Sequence, residues 1–529
     1  MRSLNRLLCR DVGYSLATGL LLALAFPPFK TGFFGYVALV PFFILLENKG
    51  FREVVRWSYL TGLFIAIFTL FWIGHVTQAG LIGALLVIPL YLVFYGIFHA
   101  LIVRLQRPRA LFFLPFFWIS MEYAQSLTEL AFPWNCLGYT QSYYLPLIQF
   151  AEFTGVLGVS FWVLTLNLVI WYLLRHPLSR RVYMVWAAVI ACWFLVPLRF
   201  GLKAMRTPDF PARTISVALV QGNVDPFEKW EEGSTENNLI LYEQMTHAAM
   251  AQKPDLIIWP ETALPFYLRA EHQYLERLLD LADSIRTPIL TGALDYRYPD
   301  EEKYLYYNSA FLIEPGERFL QSYAKMRLVP FSERVPYRNY FPFKYIKHLL
   351  YDMALGIGDY ARGDEWTVFS TPVKEASPEP TPAAAPFRIK FSVPICYESA
   401  FPDLVRRFHQ AGAHFLVIIT NDAWFGRTTA PYQHARFAVF RAIENRIAIA
   451  RCANTGVSCL VDASGRTYRA TKIFQPAIVV DNLQIHGRET LYSRHGDWFP
   501  GLCVLVAAAA LVVVIPWSRK AGDQHASSA

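Results

Sequence analysis

The sequence predicts a membrane α-helical bundle of eight spans that carries an extracytoplasmic α/β domain. Three observations lead there. Of 529 residues, 54% are hydrophobic and only 17% charged, against roughly 25% charged in an average soluble protein, so much of this chain faces something other than water. Apolar runs at residues 12–28, 33–47, 57–75, 81–103, 110–127, 155–174, 182–198 and 498–516 each approach the about 20 residues that a helix needs to cross a bilayer. Between 199 and 490 the pattern changes to short β-type runs alternating with helical periodicity, which marks a layered α/β domain.

The first run is read as a span and not as a cleaved signal, because it continues into Pro27 and Pro28 and a second apolar run without a small-residue cleavage site. Basic residues then set the orientation, since cytoplasmic loops retain Lys and Arg. They cluster at Arg2, Arg6 and Arg10, at Lys49, Arg52 and Arg56, at Arg104, Arg107 and Arg109, at Arg175, Arg180 and Arg181, and at Arg519 and Lys520, while the alternate loops hold little beyond Lys30 and Glu129. Every basic loop falls in the cytoplasm if the N-terminus starts there. The expected organisation is therefore seven spans over 1–198, an extracytoplasmic domain over 199–490, and an eighth span with a cytoplasmic tail over 491–529. The net charge of +8 is absorbed by this loop asymmetry, and no nucleic-acid partner is expected.

Within 199–490, strands are predicted at 214–221, 255–259, 288–292, 309–313, 387–395, 415–420 and 457–461, and helices at 235–251, 271–286, 402–411 and 432–450. Residues 371–386, rich in Pro, Ala and Glu, read as a disordered surface insertion. Residues 340–355 mix aromatics with Lys344, Lys347 and His348, as an interfacial arm does. Cysteines at 9, 136, 192, 396, 452, 459 and 503 lack the paired spacing of a zinc or redox site. Cys452 and Cys459 are read as buried thiols, with pairing in an oxidising compartment as the alternative. There is no glycine-rich phosphate loop, so no nucleotide cofactor and no metal are expected. His75, His99 and Glu122, in or near spans, are read as structural.

The chemistry centres on SVPICYES at 392–399, where an alternating apolar run ends at Cys396. A cysteine nucleophile needs a base and a cation or amide donors for the developing oxyanion. Two further segments supply those residue types at predicted strand ends: LIIWPETAL at 256–264, ending at Glu261, and YAKMRLVPFSERVP at 323–336, with Lys325 and Glu333.

These motifs, with WPE (259–261), KMRLVPFSE (325–333), CYES (396–399) and NDAWFG (421–426), resemble the nitrilase superfamily. With spans before and after the domain, the whole chain is similar to that superfamily's membrane-embedded enzymes that complete bacterial lipoproteins. The resemblance implies a nitrilase-like α-β-β-α sandwich and a catalytic triad of Glu261, Lys325 and Cys396. It further implies that Glu333 holds Lys325, that Glu398 lies beside the nucleophile with Tyr397 near the oxyanion, and that Trp230 and Asn308 lie near the pocket. Residues 132–141 are similar to a family segment that faces the active site, and Ser332 stands where the family commonly has glycine. The implied reaction moves the sn-1 acyl chain of a phospholipid, through a thioester on Cys396, to the amine of a diacylglyceryl-cysteine. No cofactor is implied, and the enzyme is expected to be a monomer in the bacterial inner membrane with its domain on the periplasmic side. The rivals are a membrane-tethered amidase or hydrolase on the same scaffold, and a transporter or binding protein with a dead domain, against which the intact triad speaks.

Overall fold

The computed structural model describes residues 2–104, 108–206, 213–231, 233–300, 303–340, 345, 359–373, 388–485 and 488–526. It divides into two compact units, Met1–Lys203 with Asp497–Ala529, and Ala204–Gly496.

Among the described residues of the first unit, five helices are long and apolar enough to cross a membrane: Leu8–Ala25, Phe51–Leu70, Gln78–Val103, Ala151–Arg175 and Arg180–Ala204. The sequence predicts eight full spans. Two of the other three fall instead on shorter apolar helices among the described residues, Gly32–Leu46 and Leu111–Ala124, while the last, apolar over Trp498–Val512, belongs to the helix Trp498–Ala526. Proline explains two of the shortenings. Pro41 and Pro115 stand in the first turns of Val40–Leu46 and Leu114–Ala124, where a missing N–H is tolerated but a continuous helix from the preceding residues is not. Buried polar groups tie the unit together. Asn167 donates to the Gly35 carbonyl at 2.8 Å and accepts from the Leu39 amide at 2.9 Å. Glu122 accepts from Trp118 Nε1 and from the Leu137 amide, each at 2.8 Å. The 132–141 segment is thereby packed inside this unit, with Trp134, Tyr139 and Gln141 buried. His99 stacks on Phe43 at 5.1 Å.

The second unit holds thirteen strands among the described residues: β1 Arg213–Gln221, β2 Leu256–Ile258, β3 Leu264–Tyr267, β4 Ile289–Asp300, β5 Lys303–Ile313, β6 Gln321–Ala324, β7 Phe369–Pro372, β8 Arg388–Ser392, β9 Phe415–Thr420, β10 Ala448–Ala453, β11 Cys459–Val461, β12 Thr467–Tyr468 and β13 Ala477–Ile485. They form two sheets, one in the order β13-β1-β2-β4-β5-β6 with β3 against β4, the other in the order β12-β11-β10-β9-β8-β7. The centres, β1-β2-β4 and β8-β9-β10, are parallel. Parallel strands are buried on both faces, and β9 (FLVIIT) and β10 are buried along their whole length.

Four helices flank the sheets: α1 Ser234–Ala249, α2 His272–Ile285, α3 Pro402–Gln410 and α4 Ala430–Asn445. Leu239 and Tyr242 of α1 and Leu278, Leu279 and Ala282 of α2 pack on Ala218, Val220, Ile257 and Trp259, the outer face of the first sheet. The sheets meet on their inner faces, where the Cys452 thiol of β10 lies 3.5 Å from the Val220 carbonyl and 3.2 Å from that of Ile258. With α4 packed on β10 and β11, the result is a helix–sheet–sheet–helix sandwich.

Some local expectations are corrected. The helix expected over 432–450 ends at Asn445, and residues 448–453 form β10. Thr371 and Pro372, expected to open the disordered insertion, belong to β7; the remainder of that insertion from 374, and nearly all of the 340–355 arm, lie outside the described residues. Arg451 pairs with Cys459 across β10 and β11, so Cys452 points to the opposite face. Both thiols are free and buried.

Candidate active site

The predicted site segments leave the sheets at the carboxyl ends of strands, where open α/β sheets present their functional groups. Glu261 follows β2, Lys325 follows β6, Cys396 follows the run after β8, and Asn421 follows β9.

The three side chains are drawn together in a buried cluster. Lys325, 1% exposed, donates through Nζ to Glu261 Oε1 at 3.0 Å and to Glu333 Oε1 at 2.8 Å. Asn308 Nδ2 bridges the same two carboxylates, at 2.8 Å to Glu261 and 3.1 Å to Glu333. The remaining oxygens are also held: Glu261 Oε2 accepts from the Asn421 amide at 2.8 Å, and Glu333 Oε2 from the Val329 amide at 2.8 Å. These donors fix both carboxylates in place, and for Glu261 they favour the anion.

Cys396 opens the turn Cys396–Ala400 with φ of 52°, a left-handed conformation that costs a non-glycine residue roughly 1–2 kcal/mol. Such strain gathers at functional sites, and Thr262, next to Glu261, shares it with φ of 46°. Lys229 props that second strained residue, donating to the Thr262 carbonyl at 3.0 Å and to its hydroxyl at 2.6 Å. Burial lowers the Lys229 ammonium to about 8 although the Glu261 charge pulls it upward.

The electrostatics define the resting state. Burial, Glu261 and Asp422 push the Cys396 thiol well above its ordinary range, against the opposing pull of Lys325 and the nearby Thr420 side chain. Burial also raises Glu261, but Lys325, Asn308 and the Asn421 amide outweigh it and hold the carboxyl below its ordinary value. Burial works against the Lys325 ammonium too, yet Glu261 and Glu333 hold it well above the usual lysine range. The site therefore rests as a neutral thiol beside an ionised carboxylate and a fixed cation. A thiol in that state is activated by proton transfer to the carboxylate as it attacks.

Glu398 is placed differently from the other acids. Its Oε1 accepts from Tyr323 OH (2.7 Å) and the amides of Met326 (2.7 Å) and Arg327 (3.0 Å), and its Oε2 from the Ile395 amide (2.7 Å). It is fully buried and ties the Lys325 loop to the Cys396 turn. Glu398→Ala orphans four donors, two buried and two part-buried, at about 1–3 kcal/mol for each buried one left unsatisfied. We expect a loss above ~3 kcal/mol, seen as a large drop in the thermal unfolding midpoint, with activity falling in step with the folded fraction. Tyr397 is buried, its ring edge-on to Phe401 at 5.1 Å. Trp230 lies in the turn Glu228–Trp230, and its side chain is outside the described residues.

Sequence reasoning missed Lys229, which holds Thr262 beside Glu261, His434, which meets the Cys396 carbonyl, and Thr420 and Arg451, which hold Asp422. Lys229 stands beside Trp230 in a segment already singled out, and Asp422 lies inside NDAWFG. A buried-residue pattern on α4 was the available signal for His434.

Two family models match the chain: carbon-nitrogen hydrolase over residues 216–487 and apolipoprotein N-acyltransferase N-terminal domain over residues 18–169. The chain is 34% identical over 525 residues to the apolipoprotein N-acyltransferase of Geobacter metallireducens, covering 97% of this chain and 96% of that protein. It is likewise 34% identical over 538 residues to the apolipoprotein N-acyltransferase of Chlorobaculum tepidum, covering 97% of this chain and 98% of that one.

Proposed function

The chain belongs to the apolipoprotein N-acyltransferase family, an acyltransferase with a carbon-nitrogen hydrolase domain, and from that premise we propose how its site transfers an acyl chain. The observation that carries the reading is the convergence of Glu261, Lys325 and Cys396 from three strand ends into one buried cluster.

In the first half-reaction the Cys396 sulfur attacks the sn-1 ester carbonyl of a phospholipid while Glu261 takes the thiol proton. Lys325 and a backbone amide near Tyr397 hold the oxyanion, where prearranged donors act most strongly. The C–S bond forms, the C–O bond breaks, and Glu261 returns the proton to the leaving alkoxide, giving a lysophospholipid. In the second, the amine of a diacylglyceryl-cysteine attacks the thioester carbonyl. The C–N bond forms, the C–S bond breaks, and the amine proton passes through Glu261 to the sulfur. Asn308 Oδ1, buried and without a partner among the described residues, would accept from that amine. Glu333 keeps Lys325 charged and aimed. No step consumes ATP.

The partners in this reading are a phospholipid donor and a diacylated apolipoprotein acceptor, handled by a monomer in the bacterial inner membrane. The loop charges support a periplasmic catalytic domain with seven spans before it and one after it.

A hydrolase on the same scaffold differs only in passing the acyl group to water. Full-length protein in phospholipid vesicles with a diacylated lipopeptide separates the two. Transfer yields lysophospholipid and N-acylated lipopeptide in equal amounts. Free fatty acid with the lipopeptide unchanged would establish the hydrolase instead.

A further inference from the structure

Behind Cys396 lies a second buried cluster that the mechanism above does not use. Asp422, at the end of β9, is fully buried and takes three donors: the Thr420 hydroxyl at 2.8 Å and His434 Nδ1 at 2.8 Å on Oδ1, and Arg451 Nη2 at 2.9 Å on Oδ2. Arg451 comes from β10 and His434 from α4. Gly456 leaves room for this carboxylate, since a Cβ there would stand 2.0 Å from Asp422 Oδ2. One of the three donors also reaches Cys396: His434 Nε2 lies 3.0 Å from its carbonyl oxygen.

We propose that His434, oriented by Asp422, is a positioning residue for the nucleophile, donating to the Cys396 carbonyl and holding that residue in its left-handed backbone conformation. The proposal rests on Cys396 being the nucleophile.

The hydrogen-bond inventory settles the donor roles. A carbonyl only accepts, and the Cys396 oxygen already takes the Ser399 hydroxyl at 2.8 Å. Nε2, 3.0 Å from that oxygen and 3.1 Å from Ser399 Oγ, therefore faces acceptors on both sides and must donate. On the other side of the ring, burial raises the Asp422 carboxyl, but Arg451 and His434 outweigh it and hold the group well below the ordinary carboxylate range. An ionised carboxylate also only accepts, so Nδ1 donates as well. The ring thus bridges Asp422 on one side and the peptide of the nucleophile on the other.

The surroundings of His434 agree with this assignment. Phe425 and Phe437 stand edge-on to the ring at 5.9 Å each. The charged groups around it are Asp422 from the β9 end, Arg451 behind Asp422, and Arg441 of α4, which donates to the Ser399 carbonyl at 3.4 Å. Asp422 offsets one of these cations and Glu444 another, through the Arg441 ion pair at 2.7 Å.

The test compares His434→Phe, which keeps a ring without donors, with His434→Gln, which keeps a donor without the ring that bridges Asp422 and Cys396. Two readouts are taken on full-length protein: alkylation of Cys396 by iodoacetamide across pH, mapped by peptide mass spectrometry, and acyl transfer from phospholipid vesicles. In protein that unfolds at the wild-type midpoint, His434→Phe should slow both about hundredfold, the scale of a small misplacement at a reacting centre. The acyl-transfer loss should sit in kcat with KM little changed, and the alkylation midpoint should move to higher pH. His434→Gln should recover part of the rate but keep the raised midpoint. A folded His434→Phe with wild-type alkylation rate and midpoint overturns the proposal. If His434→Phe fails to fold, an unshifted midpoint in His434→Gln does so. Should wild-type protein alkylate at Cys396 but transfer no acyl group, the acyl-transfer reading fails, and the alkylation arm still decides the role of His434.

Discussion

Cys396→Ala is expected to lower acyl transfer at least ~10,000-fold, the scale on which enzymes lose rate when the covalent nucleophile is removed. The fold should survive, because the change deletes one buried sulfur atom and leaves the turn Cys396–Ala400 with its backbone bonds, Glu398 N to Ile395 O at 3.1 Å and Phe401 N to Glu398 O at 3.0 Å. No other thiol replaces it. Cys452 lies between the sheets, and burial pushes it up to about 12, so it supplies almost no thiolate. The measurement is the initial rate of labelled acyl transfer to a diacylated lipopeptide, beside an unfolding curve that matches wild type.

Lys325→Met is expected to cost at least ~1,000-fold in rate and to destabilise the domain. The rate loss has two sources. One oxyanion donor is worth about 10²–10³ in kcat, and Glu261 loses the cation that outweighs its burial. With burial then dominant, the Glu261 carboxyl rises above its ordinary value, and a protonated Glu261 cannot accept the thiol proton. The acidic limb of the rate profile should therefore move to higher pH, with part of the lost rate returning as pH rises. The stability loss follows from leaving Glu261 and Glu333 side by side without their shared partner. Breaking a buried pair costs about 3–5 kcal/mol. Lys325→Arg restores charge but not shape, since a planar fork replaces a point donor, so it should recover stability more than rate.

The sequence exposes this site because each motif residue directly follows an apolar strand. β2, the run after β8 and β9 deliver Glu261, Cys396 and Asn421 with few residues between, so strand pattern and motif agree there, while Lys325, after the short β6, is marked by its motif alone. The fold is legible where runs are long and apolar, as in β1, β9 and α1. It is hidden where the chain turns without glycine or proline. The end of α4 is the clearest instance: Arg446 takes the left-handed position with φ of 48°, usually a glycine site, and the alanines beyond it continue a helical pattern while forming β10. Strands of two to four residues such as β3, β6, β7 and β12 are too short to show a period. The cluster behind Cys396 is hidden for another reason. Asp422, His434 and Arg451 are joined only by the parallel pairing that sets Arg451 opposite Ile418, a relation that no local pattern encodes.

The central claim is that Cys396 carries the acyl chain between two substrates. Its most direct measurement is the intact mass of purified full-length protein after incubation with phospholipid and no acceptor. The account predicts a gain of one acyl group, mapped to Cys396, released by hydroxylamine, absent in Cys396→Ala, and discharged onto the amine when a diacylated lipopeptide is added. Wild-type protein that transfers acyl chains without ever gaining that mass, or an adduct that persists in Cys396→Ala, contradicts it.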